Sequence, residues 1–308
     1  MKSIPNIKLN SGNYIPTIGN GPGIIGYSAK AKKAHKNKLT SLTNKVYNKF
    51  IGRPKLLRDY VESVTNSFNT GFTLLDNSAA YNNNVQIAQA IKKSSLERKD
   101  IFITSRVSNH AQREKGIREE LFKTLKDLNT EYVDLLQFHW PVTGLYLETW
   151  QEMVKLHKEG YCKSIGVANC HQHHLEAIAE ISDIVPAINQ IEIHPLFTQK
   201  ELIHYCQERE IVVQAYSPLA RFDDRLVRLP LLKNIANKYN KSLVQVVLRW
   251  HVQNGVIPIV KSANKGRQLQ NISIFDFELT AEEMKSIDGI NINARIRYDP
   301  DNCDFSIL

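Results

Sequence analysis

The sequence predicts an α/β fold, a closed (β/α)8 TIM barrel, formed by a single domain that spans residues 1–308. Eight short apolar runs rich in β-branched residues recur along the chain, and segments with helical spacing of apolar residues separate them. Regular alternation of strands and helices is typical of a parallel sheet with crossover helices. No linker or change of composition interrupts the eight units, which favours one closed barrel over an open doubly wound sheet.

The elements follow in a simple order. Residues 7–19, with a turn at Ser11-Gly12-Asn13, predict a β-hairpin before the barrel. The eight predicted strands are residues 15–18, 72–75, 101–104, 133–138, 164–167, 187–193, 211–215 and 256–260. Apolar stripes predict amphipathic helices between them, as at Leu57, Val61, Val64 and Phe68, or at Ile117, Leu121, Leu125 and Leu128.

The positive charge of the chain is confined to one segment. The formal net charge is +9, but residues 1–58 carry twelve Lys or Arg and no acid, so the remaining 250 residues have 28 bases and 31 acids. Residues 23–55 form a basic insertion after the first predicted strand, and this position predicts that it lies at the C-terminal face of the barrel. It would act there as a lid or an anion-attracting rim, or it would be a solvated loop without a kinetic role. No helix-turn-helix or zinc finger accompanies the charge, which argues against nucleic-acid binding.

A glycine-rich segment inside this region imitates a dinucleotide-binding motif. Residues 21–26, GPGIIG, match G-x-G-x-x-G, but that motif also needs an acid about 20 residues further on. The first acid is Asp59, 33 residues beyond Gly26. We therefore predict a loop in which the glycines let the backbone approach a ligand closely.

Polar residues follow nearly every predicted strand. In a barrel the ends of parallel strands meet at the C-terminal face, where reactive groups gather. Each residue alone would be an ordinary helix cap or a half-buried polar group, but their repetition at one face predicts a functional site. These residues are Asp76, Tyr81, Arg106, His139, Asn169, Tyr216 and Lys261, with Gln190 inside the sixth strand.

The same segments carry motifs of a known family in its order and spacing. They are GFTLLDNSAAYNNN, IFITSRV, VDLLQFHWP, KSIGVANC, AINQIEIHP, QAYSPLA and VKSANKGRQLQN. Over nearly its whole length the chain resembles the aldo-keto reductases, which are (β/α)8 barrels that bind NADPH across the C-terminal face without a Rossmann fold. The resemblance implies an NADPH-dependent reduction of aldehyde or ketone carbonyls to alcohols by hydride transfer.

The resemblance also assigns the catalytic residues. Tyr81 matches the proton donor of the family. Asp76 and Arg106 match the residues that adjust the pKa of that donor, and His139 matches the residue that orients the substrate carbonyl. A tyrosine with an ordinary pKa near 10 donates its proton usefully when a nearby cation lowers that pKa. A buried cation in turn needs a carboxylate partner, the role expected of Asp76.

One residue departs from the family pattern. The family's catalytic lysine falls in a motif like F-I-T-S-K, whereas this chain has Arg106 in FITSRV. Arginine keeps the charge but is bulkier and directs its donors differently. Three outcomes follow: a slower reductase, an enzyme whose neighbours accommodate Arg106, or a cofactor-binding regulatory or sensor protein with weak turnover. A protein that interacts through its basic arm is the remaining alternative.

The cofactor-binding residues are likewise implied by the motifs. Asn169 and Gln190 resemble the pair that binds the nicotinamide carboxamide, and Tyr216 the ring that stacks on it. Where the family often has serine before the asparagine, this chain has Ala168. Ser217 and Leu219 fall where the pyrophosphate is held. The residues that match the adenosine end are Lys261, Ser262, Arg267, Gln270 and Asn271, and two cations there favour NADPH over NADH.

The remaining expectations concern the pocket, metals and location. Trp140, Tyr298 and Phe305 are predicted to line the substrate pocket, the last two from a C-terminal tail over the barrel mouth. His171, His173 and His174 lack accompanying cysteines or acids in the sequence, so no metal site is predicted. The start of the chain lacks a hydrophobic signal segment and no run is long enough to span a membrane, so we expect a cytoplasmic protein that acts on a small carbonyl substrate. The sequence predicts no oligomeric state.

Overall fold

Eight parallel strands close into a barrel in the computed structural model, which describes residues 4–26 and 53–305. This arrangement confirms the predicted fold class. Around the barrel the strands follow the chain order, and the last strand pairs with the first to close the ring. The barrel strands are β3 (Gly19–Asn20), β4 (Leu74–Asp76), β5 (Phe102–Val107), β6 (Val133–Phe138), β7 (Cys162–Ala168), β8 (Ile188–Glu192), β9 (Val212–Tyr216) and β10 (Val256–Val260).

Amphipathic helices cover the outside of the barrel. The predicted apolar stripes face inward, since Val61, Val64 and Phe68 are buried in the first described helix, and Leu121 and Leu125 are buried in a later one. The helices are α1 (Arg53–Thr70), α2 (Asn84–Lys93), α3 (Asn109–Arg113), α4 (Ile117–Leu128), α5 (Tyr146–Lys158), α6 (Gln172–Ile181), α7 (Lys200–Glu208), α8 (Asp224–Val227), α9 (Pro230–Lys238), α10 (Leu243–Gln253), α11 (Lys265–Ile272) and α12 (Ala281–Asp288).

The predicted N-terminal hairpin closes the bottom of the barrel. Its strands β1 (Asn6–Lys8) and β2 (Tyr14–Pro16) pair antiparallel. Leu9 and Ile15 pack on residues near the starts of the barrel strands, among them Leu74 and Ile188. This apolar plug leaves the opposite, C-terminal face open for a site.

The first barrel strand differs from the prediction. Residues 15–18 were expected to form it, but Ile15 belongs to the hairpin strand β2, and the barrel strand is the two-residue β3. A Cβ atom at Gly19 would lie 2.7 Å from Ile259 and 2.8 Å from Leu74. The barrel closes at this point because glycine lets neighbouring strands approach.

Past α12 the chain crosses the C-terminal face of the barrel, as predicted. The backbone carbonyl of Phe305 accepts a hydrogen bond of 2.8 Å from Nη1 of Arg113, which lies beyond the end of β5. Most of the basic insertion, residues 27–52, lies outside the described residues. Among the helices that are described, none has the length and apolar character needed to cross a membrane.

Candidate active site

The polar residues singled out in the sequence meet at the C-terminal face of the barrel. Asp76 is the last residue of β4 and Tyr216 the last of β9, while Arg106 is next to last in β5. His139 follows β6 directly, and Asn169 follows β7. Parallel strands bring these positions to one rim, so the expected cluster forms.

A buried ion pair lies at the base of this cluster. The Arg106 guanidinium is 1% exposed and contacts the carboxylate of Asp76, which is 6% exposed. Nη1 of Arg106 also donates a 2.9 Å hydrogen bond to the carbonyl of Asn77. Moving a charge from water into the protein interior costs free energy unless a partner of opposite charge compensates it. Each member of the pair therefore requires the other.

Gln190 contacts both members of the ion pair and also a second buried glutamine, Gln214. Oε1 of Gln190 accepts a 2.7 Å hydrogen bond from Arg106, and Nε2 of Gln190 donates to Asp76 at 2.8 Å and to Gln214 at 3.1 Å. Both N–H groups of Gln190 are therefore used inside the protein, and one lone pair of Oε1 remains. Gln190 can accept one hydrogen bond from a nicotinamide amide and can donate none.

Gln214 is a site residue that the sequence analysis missed. It lies in the middle of β9 with no exposed surface. The sequence pattern indicated a role for Gln214, because a glutamine in the centre of an apolar barrel strand needs a polar partner. The partner itself, Gln190 on the neighbouring strand, depends on the register of β8 and β9.

Tyr81 and His139 face each other above the ion pair. Their ring centroids are 6.2 Å apart at an interplanar angle of 80°. Tyr81 ends a single 3-10 turn, Ala79–Tyr81, which follows the Asn77 carbonyl held by Arg106. The side chain of Asn77 donates to Asn83 and Asn84 at 2.9 and 2.8 Å, so the loop that carries Tyr81 is fixed on both sides of the turn.

The ionisation of Tyr81 depends on opposing effects. Burial raises the pKa of Tyr81 above its ordinary value of 10.0, and the opposing effect of Arg106 is smaller. The negative charge of Asp76 also raises this pKa, although by less than Arg106 lowers it. Arg106 lowers the pKa of Tyr81 as expected of a nearby cation, but burial outweighs it, so Tyr81 is a neutral acid near neutral pH in the free protein.

His139 is neutral in this site. Burial lowers its pKa to about 3, and the charges of Arg106 and Arg297 act in the same direction. A neutral imidazole carries one N–H donor and one acceptor. This state suits a residue that donates a hydrogen bond to a carbonyl oxygen without bringing a second full charge to the site.

The residues expected at the nicotinamide end lie together. The hydroxyl of Tyr216 donates a 2.7 Å hydrogen bond to Oδ1 of Asn169, and Nδ2 of Asn169 donates to the carbonyl of His139 at 2.9 Å. Asn169 adopts a left-handed backbone conformation with φ of 61°, which asparagine tolerates better than most residues. Its backbone N–H binds the carbonyl of Gln190 at 2.8 Å.

The residues expected at the pyrophosphate end lie in the loop after β9, and those expected at the adenosine end lie in the loop after β10 and in α11. Ser217, with φ of 50°, and the partly buried Leu219 follow β9. Lys261 and Ser262 follow β10, and Arg267 in α11 approaches Ser262 with 3.5 Å between Nε and Oγ. Further along α11, Asn271 is buried, whereas Gln270 is exposed. The exposed Arg267 guanidinium can reach an anion.

The glycine-rich loop adjoins this end of the site. The carbonyl of Gly23 accepts hydrogen bonds from Tyr60 at 3.1 Å and from Asn83 at 3.0 Å. A Cβ atom at Gly23 would lie 3.0 Å from Nζ of Lys261, and its φ of 65° also favours glycine. The loop backbone therefore lies close to Lys261, while its approach to a ligand stays a prediction.

The predicted pocket-lining residues come from two parts of the chain. Trp140 is buried beside His139, and its ring lies 6.3 Å from that of Phe305 in the tail. Tyr298 is 44% exposed, with the Arg297 guanidinium 5.2 Å from its ring centroid. The tail thus brings aromatic rings to the same mouth as Tyr81.

Three histidines at the start of α6, of which His171 is the N-cap residue, lie beside an acid that the sequence did not reveal. Asp301 lies 2.7 Å from Nδ1 of His171, 3.2 Å from Nε2 of His173 and 3.6 Å from Nε2 of His174. The prediction that no acid accompanies these histidines is therefore wrong, because folding brings Asp301 to them from more than 100 residues away. However, Nδ1 of His174 accepts the backbone N–H of His171 at 3.1 Å, so the neutral ring carries its proton on Nε2, where a metal would bind. The contacts of the histidines with Asp301 hold the C-terminal tail against the start of α6.

Comparisons with known proteins agree with this geometry. A model of the aldo/keto reductase family matches residues 57–292. The Bacillus subtilis (strain 168) protein named uncharacterized oxidoreductase YtbE is 43% identical over 254 residues, which cover 80% of this chain and 89% of the relative. The glyoxal reductase of the same organism is 40% identical over 244 residues, 79% of this chain and 88% of the relative.

A solved structure extends the match to nearly the whole chain. The crystal structure of a Bombyx mori aldo-keto reductase in complex with NADP is 32% identical, covers 98% of this chain and 97% of its own, and superposes with a TM-score of 0.81. Its likeness and the family match both span the barrel strands that carry the site. The chain therefore belongs to the aldo/keto reductase family.

Proposed function

We propose that this protein is an NADPH-dependent reductase of aldehydes and ketones in which Tyr81 supplies the proton. The observation that carries the proposal is the meeting of Tyr81 and His139 above the buried Arg106–Asp76 pair. Relatives named glyoxal reductase and methylglyoxal reductase make small carbonyl compounds the first substrates to test. The solved relative in complex with NADP supports the same cofactor here.

Each catalytic residue has a distinct task. NADPH, when bound, would supply the hydride for the carbonyl carbon. The Tyr81 hydroxyl donates its proton to the carbonyl oxygen, and the neutral His139 donates a hydrogen bond to that oxygen. Arg106 stabilises the phenolate that remains on Tyr81, while Asp76 keeps the guanidinium ionised and fixed in place.

The residues available for the cofactor fit its two ends. At the nicotinamide, Asn169 keeps one N–H free, Gln190 keeps one lone pair free, and Tyr216 offers a ring for stacking. At the adenosine end, Lys261 and Arg267 offer positive charge for a 2′-phosphate, which only NADPH carries. These assignments make NADPH the preferred cofactor.

Steady-state oxidation of NADPH with glyoxal, methylglyoxal and a panel of aldehydes tests the function. Saturable, enzyme-dependent oxidation is the expected result, beside tight cofactor binding in a fluorescence titration. Tight NADPH binding without turnover of any carbonyl would contradict the proposal. That outcome would favour the alternative of a regulatory or sensor protein in which Arg106 replaces the family's lysine.

Cofactor selectivity provides a sharper prediction. Wild-type protein is expected to bind NADPH at least about tenfold more tightly than NADH. The Arg267→Ala variant should lose about 1.5 to 3 kcal/mol of NADPH binding, the range for hydrogen bonds to charged groups, with little change for NADH. Lys123→Ala, which removes an exposed charge on α4, is the matched control. Equal affinities of wild-type protein for the two cofactors in a fluorescence titration would contradict the prediction.

The pH dependence of reduction follows from the ionisation of the site. Because burial raises the pKa of Tyr81 and holds that of His139 at about 3, neither group changes charge near neutrality. With saturating NADPH, kcat should therefore stay constant from roughly pH 5 to 9 and fall only when the tyrosine is deprotonated. If kcat instead fell with rising pH around a midpoint below about pH 8, the pKa of the Tyr81 phenol would lie below its reference value.

A further inference from the structure

A chain of buried side chains crosses the barrel interior at the base of the candidate site. Nη2 of Arg106, on β5, contacts the carboxylate of Asp76 at the end of β4 and donates to Oε1 of Gln190 on β8 at 2.7 Å. In the closed ring of strands, β4 and β8 lie on opposite sides. Gln190 in turn donates to Oε1 of Gln214, its partner in register on β9, at 3.1 Å. The guanidinium is therefore held from both walls of the barrel.

The direction of each hydrogen bond in this chain follows from the groups at its ends. A guanidinium only donates, so Gln190 presents its oxygen to Arg106, and an ionised carboxylate only accepts, so the nitrogen of Gln190 faces Asp76. The second N–H of that nitrogen reaches Gln214, which therefore presents its own oxygen. Gln214 thus stabilises the amide of Gln190 in the orientation that binds Arg106.

The contacts of Arg106 suit arginine better than lysine. Nη1 donates to the carbonyl of Asn77 at 2.9 Å while Nη2 serves Asp76 and Gln190, so two nitrogens bind three acceptors. The single nitrogen of a lysine side chain ends one atom earlier and is a compact point charge. It would reach less far toward β8 and leave the oxygen of Gln190 with a weaker partner. The neighbours of Arg106 are therefore arranged around a guanidinium.

The position of this guanidinium bears on proton transfer. The Asn77 carbonyl that Nη1 of Arg106 binds precedes the 3-10 turn that carries Tyr81. Burial raises the pKa of Tyr81, and the charge of Arg106 is the largest effect that opposes burial. Stabilisation of a developing charge depends on groups that are already in place before the reaction. A displaced guanidinium would therefore disturb both the Tyr81 loop and the stabilisation of its phenolate.

We propose that Gln214 is a positioning residue for carbonyl reduction, and that it acts through Gln190 by holding the guanidinium of Arg106 in place. The inference rests on the carbonyl reduction proposed above and identifies how this site uses an arginine where the family has lysine. Gln214 lies in the middle of β9 and has no exposed surface with which to contact substrate or cofactor. Its influence on the reaction should therefore depend on the residue at position 106.

A double-mutant cycle on positions 106 and 214 tests this dependence. Gln214→Met keeps the length of the side chain and removes the acceptor oxygen. We expect it to lower kcat about fivefold to tenfold, as for one lost hydrogen bond, with the KM of the carbonyl substrate and the NADPH affinity unchanged within about twofold. Arg106→Lys alone should lower kcat at least about tenfold, as for a lost hydrogen bond to a charged group.

The cycle closes with two further variants. In the Arg106→Lys background, Gln214→Met should change kcat by less than about twofold, because the contact through which Gln214 acts is already weakened. Gln214→Glu keeps an acceptor oxygen at the same position and should restore most of the kcat that Gln214→Met loses. A general loss of packing would follow neither pattern.

Gln245→Met is the matched control for the loss of a buried glutamine. Gln245 lies in the first turn of α10, outside the site, and its Nε2 donates to the carbonyl of Ser273 at 2.8 Å. This variant should keep the wild-type kcat. An equal fall of kcat in Gln214→Met with arginine or with lysine at position 106 would overturn the proposal. So would a higher kcat in Arg106→Lys, or a loss of NADPH affinity in Gln214→Met with kcat unchanged.

Unfolding in urea separates this inference from the proposed function. An absence of turnover in wild-type protein would contradict the reductase function, but the coupling of positions 106 and 214 would remain measurable. Gln214→Met should then raise the unfolding equilibrium constant at least about fivefold in wild-type protein and less than about twofold in the Arg106→Lys background. Gln245→Met should act equally in both. Equal effects of Gln214→Met in the two backgrounds would show that Gln214 does not hold Arg106 and would overturn the proposal.

Discussion

Replacement of Tyr81 by phenylalanine is expected to lower kcat for carbonyl reduction by roughly a hundredfold to ten-thousandfold, the usual contribution of a positioned general acid. The change removes only the hydroxyl, and the ring that faces His139 at 6.2 Å remains. The affinity for NADPH should stay close to that of wild-type protein, because Tyr81 is assigned no cofactor contact. Steady-state kinetics and a fluorescence titration measure the two quantities.

Tyr60→Phe is a matched control for this experiment. Tyr60 is a buried tyrosine whose hydroxyl donates to the Gly23 carbonyl at 3.1 Å, outside the set of reacting groups. Its loss should change kcat far less than the loss of the Tyr81 hydroxyl. Turnover that persists in Tyr81→Phe at the level of the Tyr60 control would identify another proton donor.

The Asp76→Asn substitution should have the largest effect on stability, lowering the free energy of unfolding by about 3 to 5 kcal/mol. The carboxylate is the charge partner of the fully buried Arg106 and also accepts from Gln190 at 2.8 Å. Asparagine keeps the size of the side chain but leaves the guanidinium buried without a counter-charge. Equilibrium denaturation in urea, followed by circular dichroism, measures the change.

Asp59→Asn is the control for the loss of a carboxylate. Asp59 pairs with Lys55 on the surface of α1, where both side chains are more than half exposed. Exposed pairs of this kind contribute about 0.5 kcal/mol or less, so this variant should unfold almost like wild-type protein. Equal destabilisation by the two substitutions would show that burial of the Arg106–Asp76 pair has no special cost.

The barrel could be predicted because its signals are local. Each strand is a short apolar run, and each helix has a stripe at 3.6-residue spacing, so the alternation is visible without knowledge of contacts. The first strand was misplaced by a few residues because Ile15 and Ile18 are both fully buried, one in the bottom plug and one against α10. Apolar character does not distinguish these two environments.

The candidate site was predicted to a similar extent. The residues at the strand ends were found because the barrel topology alone brings them to one face. Gln214 and Glu192 were missed, since their importance lies in what they contact. The carboxylate of Glu192 is ordinary until the tail reaches it from more than 100 residues away.

The sequence by itself determined the fold class, the face that carries the site and the residue types available for proton transfer and anion binding. The tertiary structure decided how those groups ionise and pair. Tyr81 has a raised pKa because burial and Asp76 outweigh Arg106, a balance that depends on distances and desolvation. The contact of Asp301 with the three histidines at the start of α6 is likewise long-range in sequence. Electrostatic energies vary with separation and burial, and neither quantity is encoded in the local pattern of residues.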